Sequence, residues 1–197
     1  MTPRDTEAAR ASRDAHTEAQ SSAEETRAHA RDAETQRVWQ LLTNVKDPEI
    51  PMIDVVELGV VRNVLVEHDS VRVDITPTYS GCPAMQVIER EIESTLEANG
   101  FANVVVRTIY SPAWTTDWLS DETKEKFRSY GIAPPRGNTE AAGIAELVSI
   151  RRAQPATVCP FCGSSNTERK SEFGSTACKS IHFCNNCHQP FDHFKDF

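Results

Sequence analysis

Two pairs of cysteines, Cys159-Pro160-Phe161-Cys162 and Cys184-Asn185-Asn186-Cys187, separated by 21 residues, constrain this chain more than any other feature. Each C-x-x-C pair can bend into a knuckle that aims two sulfurs at one point, and Gly163 permits the tight backbone after the second sulfur. Two knuckles joined by a short β excursion make a zinc ribbon, and four thiolates in a tetrahedron make a closed, structural Zn²⁺ site. Cys159, Cys162, Cys184 and Cys187 are therefore the expected metal ligands. Cys184–His188 also spells the C-x-x-C-H motif of c-type haem attachment, but that chemistry requires export and leaves the first pair without a role. A thioredoxin-like dithiol needs a βαβ setting that this tail lacks. Iron in a Cys₄ site stays open on chemical grounds.

The rest of the chain is organised around that tail. Apolar residues are 39% of the 197, below the roughly 45–50% of globular chains, so part of the chain is expected not to pack. No run approaches the roughly 20 apolar residues of a membrane span, and the first thirty residues lack the apolar stretch of a secretory signal. Cysteines without an export signal point to a reducing, cytoplasmic compartment. Acids outnumber bases 29 to 21, for a net charge of −8, which argues against a partner bound by phosphate neutralisation. The tail itself is balanced, with Arg169, Lys170, Lys179 and Lys195 against Glu168, Glu172, Asp192 and Asp196, so it carries no nucleic-acid footprint. Residues 1–37 hold nine alanines, six arginines and eight acids but no Val, Ile, Leu, Phe, Trp or Tyr. A helix there would have no apolar face to bury, and the segment reads as a disordered polar arm.

Packing is expected from Val38. Val38, Leu41, Leu42 and Val45 form a helical stripe that Pro48 and Pro51 terminate. Val60–Glu67 and Val71–Thr76 read as an antiparallel hairpin turning at His68–Ser70. A helix from Pro83 to about Gly100, a strand over Val104–Tyr110 and a helix from Ser120 to Arg128 closed by Gly131 complete an α-β-β-α-β-α order. The fold class is α+β. The expected divisions are the arm (1–37), this domain (38–132), a linker (133–157) with a helical turn near 141–150, and the ribbon (158–197). Treated as separate bodies, the ribbon should unfold on metal removal and spare the domain.

Cys82, in Ser80-Gly81-Cys82-Pro83, stands immediately before a predicted helix. A helix N-terminus favours a thiolate, so Cys82 is placed as a reactive or metal-accepting cysteine would be; a buried cap is the plain alternative. Asp47 and Glu49 flank Pro48 in a turn that the topology could bring near Cys82, although solvated turn acids would look the same. Cys178 reads either as a small buried side chain or as a fifth thiol. His182, His188 and His193 read as surface or outer residues, and the tail's phenylalanines as core with a remainder available for docking.

At Val45–Pro51 (VKDPEIP), Asp54–Val61 (DVVELGVV), Ile75–Met85 (ITPTYSGCPAM) and Ser111–Leu119 (SPAWTTDWL) the chain resembles the MIP18 (DUF59) family, associated with iron–sulfur cluster assembly and delivery. Tyr130–Pro135 (YGIAPP) and Glu172–Lys179 (EFGSTACK), set around a zinc ribbon, resemble more specifically the D (or J) subunits of phenylacetyl-CoA epoxidase systems, over residues 38–197. The resemblance implies a MIP18-like domain with a small mixed sheet. It also implies an accessory, non-catalytic subunit of an oxygen-dependent epoxidase of aerobic phenylacetate catabolism. Such a subunit would aid maturation of an iron or iron–sulfur centre, with the other epoxidase subunits as partners, among them the iron–sulfur flavin reductase. By position, Cys82 matches the family's functional cysteine, and Asp47 and Glu49 its acidic turn. The implied metals are a structural zinc and a transient iron or iron–sulfur cargo. A structural zinc-ribbon adaptor and a thiol-dependent enzyme are the alternatives.

Overall fold

The expected stripe buries Val38 and Leu42 on helix α1 and Val45 in the turn after it; α1 covers residues 32–42 of a computed structural model that describes residues 32–67, 70–136 and 156–197. Residues 32–37 therefore belong to this helix and not to the arm. Its first turns are exposed, except that Arg37 donates to the Asn99 carbonyl at 2.7 Å and lies over the Phe101 ring. Residues 1–31, the tip of the expected hairpin at His68–Asp69 and the expected helical turn near 141–150 lie outside the described residues.

The proline segment after α1 folds as a small hairpin, β1 (Lys46–Asp47) and β2 (Ile50–Asp54). The Asp47 carboxylate holds its turn by accepting the N–H groups of Glu49 (2.8 Å) and Ile50 (2.9 Å). Alternation then sets the main sheet. Val64 and Val66 of β3 (Val61–Glu67) pair with Val73 and Val71 of β4 (Ser70–Ile75), and all four are buried. The partner strand β5 (Asn103–Thr108) runs parallel to β4, so a crossover is required. Helix α2 (Met85–Ala98) supplies it and buries Ile88, Ile92 and Leu96 at a spacing of four. On the other face Arg107 grips Asp74 through two nitrogens, at 2.9 and 3.2 Å.

The segment after β5 buries Trp114, whose indole N–H donates to the Leu58 carbonyl at 2.9 Å. Gly59, at φ 72°, lets the chain turn there, and a Cβ would stand 3.4 Å from the indole nitrogen. The DVVELGVV and SPAW motifs are thus two sides of one packing contact. Ser120 caps helix α3 (Asp121–Ser129), which buries Phe127 and carries Lys126 to an ion pair with Glu57.

The expected boundary at 132 falls inside a sheet. Strand β6 (Ile132–Ala133) pairs in parallel with β9 (Pro190–Phe194). With β7 (Thr167–Ser171) and β8 (Lys179–Cys184) these strands form a four-stranded sheet in the order β6-β9-β8-β7. The start of the expected linker is therefore part of the ribbon. Arg136 N–H donates to Asp196 at 2.7 Å, while residues 137–155 lie outside the described residues.

Ribbon and domain share one core. Phe194 sits 5.1 Å from Phe127 and 6.0 Å from Trp114 between ring centroids, and Phe197 packs on Trp114 and Tyr79 at 6.1 and 6.2 Å. Cys178 and Phe194 belong to the same buried cluster as Val38 and Ile75. The knuckle docks as well: Gly131, at φ 76°, leaves the space that the Phe161 ring fills, and a Cβ there would fall 2.8 Å from that ring. Of the tail's phenylalanines Phe191 and Phe194 are buried, whereas Phe161, Phe173 and Phe197 keep exposed faces, Phe173 the most.

His182 and His193 are buried, contrary to the surface reading, with Ser180 Oγ 3.1 Å from one ring and 3.5 Å from the other. Burial, then the nearby His182, Arg136 and Arg169, push His193 down to about 4. An unfolded histidine takes its proton near 6.5. The stabilisation that His193 gives by staying neutral is therefore complete above about pH 6.5 and falls away toward pH 4, by an order of 3 kcal/mol in all. Urea melts of the wild type and of His193→Phe between pH 7.5 and 4.5 should differ in slope, with the variant less acid-sensitive; equal slopes would contradict this.

Candidate metal centre and cysteine site

The first knuckle is closed by Gly163 N–H donating to the Cys159 carbonyl (3.0 Å), and the second by His188 N–H donating to the Cys184 carbonyl (2.9 Å). Gly163 and His188 both adopt positive φ, 73° and 59°. These turns bring the sulfurs of Cys159, Cys162, Cys184 and Cys187 within 4.8 Å of one another. The closest pairs are Cys159–Cys187 and Cys162–Cys184, each at 3.6 Å. A disulfide needs about 2.05 Å, whereas a tetrahedron of sulfurs at 2.3 Å from a zinc ion has edges of about 3.8 Å. The spacing fits a shared ion. Backbone N–H groups of Cys187 and Asn186 bring the Cys184 thiol down to about 6, whereas desolvation and the other three sulfurs push Cys187 up to about 12. Four adjacent sulfurs cannot all ionise without a cation among them. Ala133 and Phe191 pack against the cluster, so β6 closes one side of the site.

The second constellation lies where the domain meets the ribbon. Cys82 is half-buried in the loop before α2. The helix begins at Met85 with Ala84 as its cap, two residues later than the sequence suggests, because residues 82–84 form a separate turn. The backbone N–H groups of Ala84 and Met85 act to lower the Cys82 thiol, in the direction expected of a loop leading into a helix. Burial outweighs that effect. Together with the Glu49 and Asp47 carboxylates it pushes the Cys82 thiol up, so the expected depression is overturned. Without a bound cation, Cys82 is a protonated thiol at neutral pH.

Asp47 is no solvated turn acid. It is buried, its carboxylate is occupied by the turn, and burial raises its pKa. Glu49, by contrast, points its carboxylate at the ribbon, where Cys178 Sγ approaches Oε2 to 3.4 Å and Lys179 Nζ donates to the Glu49 carbonyl at 3.3 Å. Cys178 is buried, and desolvation and Glu49 push it up to about 12. Tyr79 closes the group: burial, then Cys82, Glu49 and Cys178, push its phenol up to about 12. The sequence allowed Asp47 and Glu49 to lie near Cys82, and in the structure the charges of both act on its thiol. Against Glu49 the structure adds Cys178 and Lys179, which only the docking of the ribbon could reveal.

Comparison with known proteins gives these residues a family. The family model for an iron–sulfur cluster assembly protein matches residues 35–106, and that for the PaaD zinc beta ribbon domain matches residues 145–195. An Escherichia coli (strain K12) protein named as the D component of 1,2-phenylacetyl-CoA epoxidase is 42% identical over 158 residues, 80% of this chain and 90% of its own length. A Staphylococcus aureus (strain USA300) Fe-S protein maturation auxiliary factor, SufT, is 38% identical over 82 residues, 41% of this chain and 92% of its own. A DUF59 domain of unknown function from Bacillus anthracis, known by crystal structure, aligns with 49% of this chain and 93% of its own at 26% identity and a TM-score of 0.47. Among the described residues no helix is long and apolar enough to cross a membrane. With an assembly-type domain and a ribbon matched in order, and one relative matched along nearly its whole length, the chain belongs to the family of phenylacetyl-CoA epoxidase D components, built from a DUF59 (MIP18) domain and a PaaD zinc ribbon.

Proposed function

We propose that the chain is an accessory subunit of a multicomponent phenylacetyl-CoA 1,2-epoxidase that helps load an iron or iron–sulfur centre of the complex and catalyses no step itself. In this reading residues 38–132 handle the metal cargo, with Cys82 as the transient ligand and the Asp47–Glu49 turn supplying negative charge beside it. Residues 158–197 form the ribbon, with Zn²⁺ held by Cys159, Cys162, Cys184 and Cys187. The zinc would cross-link the two knuckles and supply no chemistry. The client is a component that receives iron, and the iron–sulfur flavin reductase is the best candidate by chemistry.

The observation that carries this reading is the setting of Cys82. It is a half-buried thiol in the loop before α2, outside the Cys₄ site, and the charges of Glu49 and Asp47 act on it. A protonated thiol beside carboxylates becomes a ligand when a cation arrives to displace the proton. The same protonation also favours a second reading, a structural adaptor with an inert Cys82. Cys82→Ser separates the two. Serine is close to cysteine in size and Cys82 is only half-buried, so the variant should fold and accumulate normally. The epoxidase purified from cells carrying it should contain less iron and lose most of its activity. Full activity and full iron content would leave the adaptor.

A further inference from the structure

The main sheet ends in an open edge. Its strand order is β3-β4-β5, and among the described residues no strand pairs with the far side of β5. We propose that this edge is a docking site for an extended segment of a partner protein, which adds a strand beside β5 and carries Lys or Arg on one face and apolar residues on the other.

The unpaired backbone groups can be named. Ile109 N–H donates to the Ile75 carbonyl of β4 at 2.8 Å, so the odd-numbered residues of β5 turn their polar backbone toward β4. By strand alternation Val104, Val106 and Thr108 turn theirs to the open side. The other edges of the two larger sheets are blunted, which guards against strand addition. β3 has a bulge between Val61 and Asn63, the N–H groups of Val60 and Val61 go to the Val55 carbonyl, and Arg62 lies over the Trp118 ring at 3.4 Å. β7 carries Glu168, Arg169 and Lys170 in succession, and β6 has only two residues. β5 has no such guard: it holds three consecutive valines, and its one charge, Arg107, grips Asp74 of its own sheet. Val105 is 55% exposed and, with Leu65 and Arg72, borders a groove of about 190 Å³ on the outer face.

Charge decides what the incoming segment must carry. The path from β4 through α2 to β5 is a parallel crossover, and such crossovers are right-handed in about 98% of cases. Ile88, Ile92 and Leu96 face the sheet, and α2 packs on β5. With that hand, the residue after each of the three, namely Glu89, Glu93 and Glu97, falls on the side of α2 toward the open edge. Among the described residues none of these glutamates is in an ion pair. Arg90 is the one base of α2. A second copy paired through β5 across a two-fold axis would set one acidic row against the other, which is unfavourable. A strand with a basic face meets the row instead, while an apolar side chain on its other face lies beside Val105. Main-chain pairing then supplies affinity and the alternate side chains supply selection. No residue of either cysteine site takes part, so failure of this surface would leave the metal-loading reading untouched.

The test uses the full chain with zinc in the ribbon and a fluorescein-labelled heptapeptide, KVKVKVK, as the probe. Its anisotropy should report binding at least about tenfold tighter than that of a twin methylated on its backbone nitrogens, or of the acidic peptide EVEVEVE. Amide exchange should slow at Val104, Val106 and Thr108 when the probe binds. The double variant Glu89→Gln, Glu93→Gln should melt like the wild type and bind the probe about tenfold more weakly. Equal binding of the methylated twin, or unchanged exchange at those three amides, would overturn strand addition. Equal binding of the acidic peptide, or by the double variant, would overturn the basic partner. A chain that dimerises with concentration in sedimentation, and no longer does so as Val105→Lys, would make a second copy the occupant and overturn the proposal.

Discussion

A chain stripped of metal by a strong chelator is expected to lose the ribbon's sheet and to weaken the domain with it. Apparent binding energies for structural zinc are roughly 10–16 kcal/mol, more than a forty-residue ribbon can replace from its own core. Here the apolar cluster around the four sulfurs consists of Ala133, Cys159, Cys184 and Phe191, with Cys187 against it. The loss does not stop at the ribbon. Phe194 and Cys178 belong to the domain's core, and β6 pairs with β9, so an unfolded ribbon would leave Trp114 and Phe127 facing solvent. Hydrogen exchange should show lost protection in β6, β8 and β9. The main thermal transition should fall by more than the roughly 4 °C that accompanies 1 kcal/mol in a domain of this size. An unmoved main transition would show that the two parts fold independently, and an intact ribbon sheet without metal would refute the site.

Much of this was legible because it is written in local pattern. Val71, Val73 and Ile75 alternate, Ile88, Ile92 and Leu96 repeat at four, and both C-x-x-C spacings need only a tight turn to converge. Each of these elements appears within about two residues of its expected place. What pattern could not show is what depends on contact between distant segments. Cys82 has the sequence surroundings of an activated thiol, and the N–H groups of Ala84 and Met85 act on it in the expected direction. The sign of its pKa shift is nonetheless set by burial and by Glu49 and Asp47, whose approach is a tertiary fact. Asp47 and Glu49 differ by two positions and looked alike, yet one is consumed in its own turn and the other reaches across to Cys178. The expected linker begins at Ala133, but a two-residue strand is too short to carry periodicity, and its partner lies about sixty residues on. A weak signal was present in YGIAPP and in EFGSTACK: Gly131 and Gly174 each stand where a side chain would collide with the other part of the fold or with the neighbouring strands.

Phe194→Ala should be among the most damaging single substitutions outside the metal site. Its side chain is 1% exposed and meets Phe127, Trp114 and Phe197 at centroid distances of 5.1 to 6.1 Å. Truncating a phenylalanine so enclosed removes its transfer energy and leaves a cavity between rings that cannot easily close, at a cost of about 3–5 kcal/mol. The neighbouring Phe191 offers a control: it packs in the cluster around the sulfurs and not in the shared core. Phe194→Ala should keep its zinc, since Phe194 lies in the shared core and not in the cluster around the four ligands. It should release the ribbon from the domain, and with it the Cys178–Glu49 contact, because Cys178 is bonded through its carbonyl to Lys195, the next residue along. Urea melts measure the energy, metal analysis reads the zinc, and exchange at Glu49 and Lys179 reports docking. A cost under about 1 kcal/mol with protection unchanged would mean that the ribbon is held to the domain by its polar contacts alone. A large cost with zinc retained would show that an apolar joint made by one residue of β9 keeps Cys178 against Glu49.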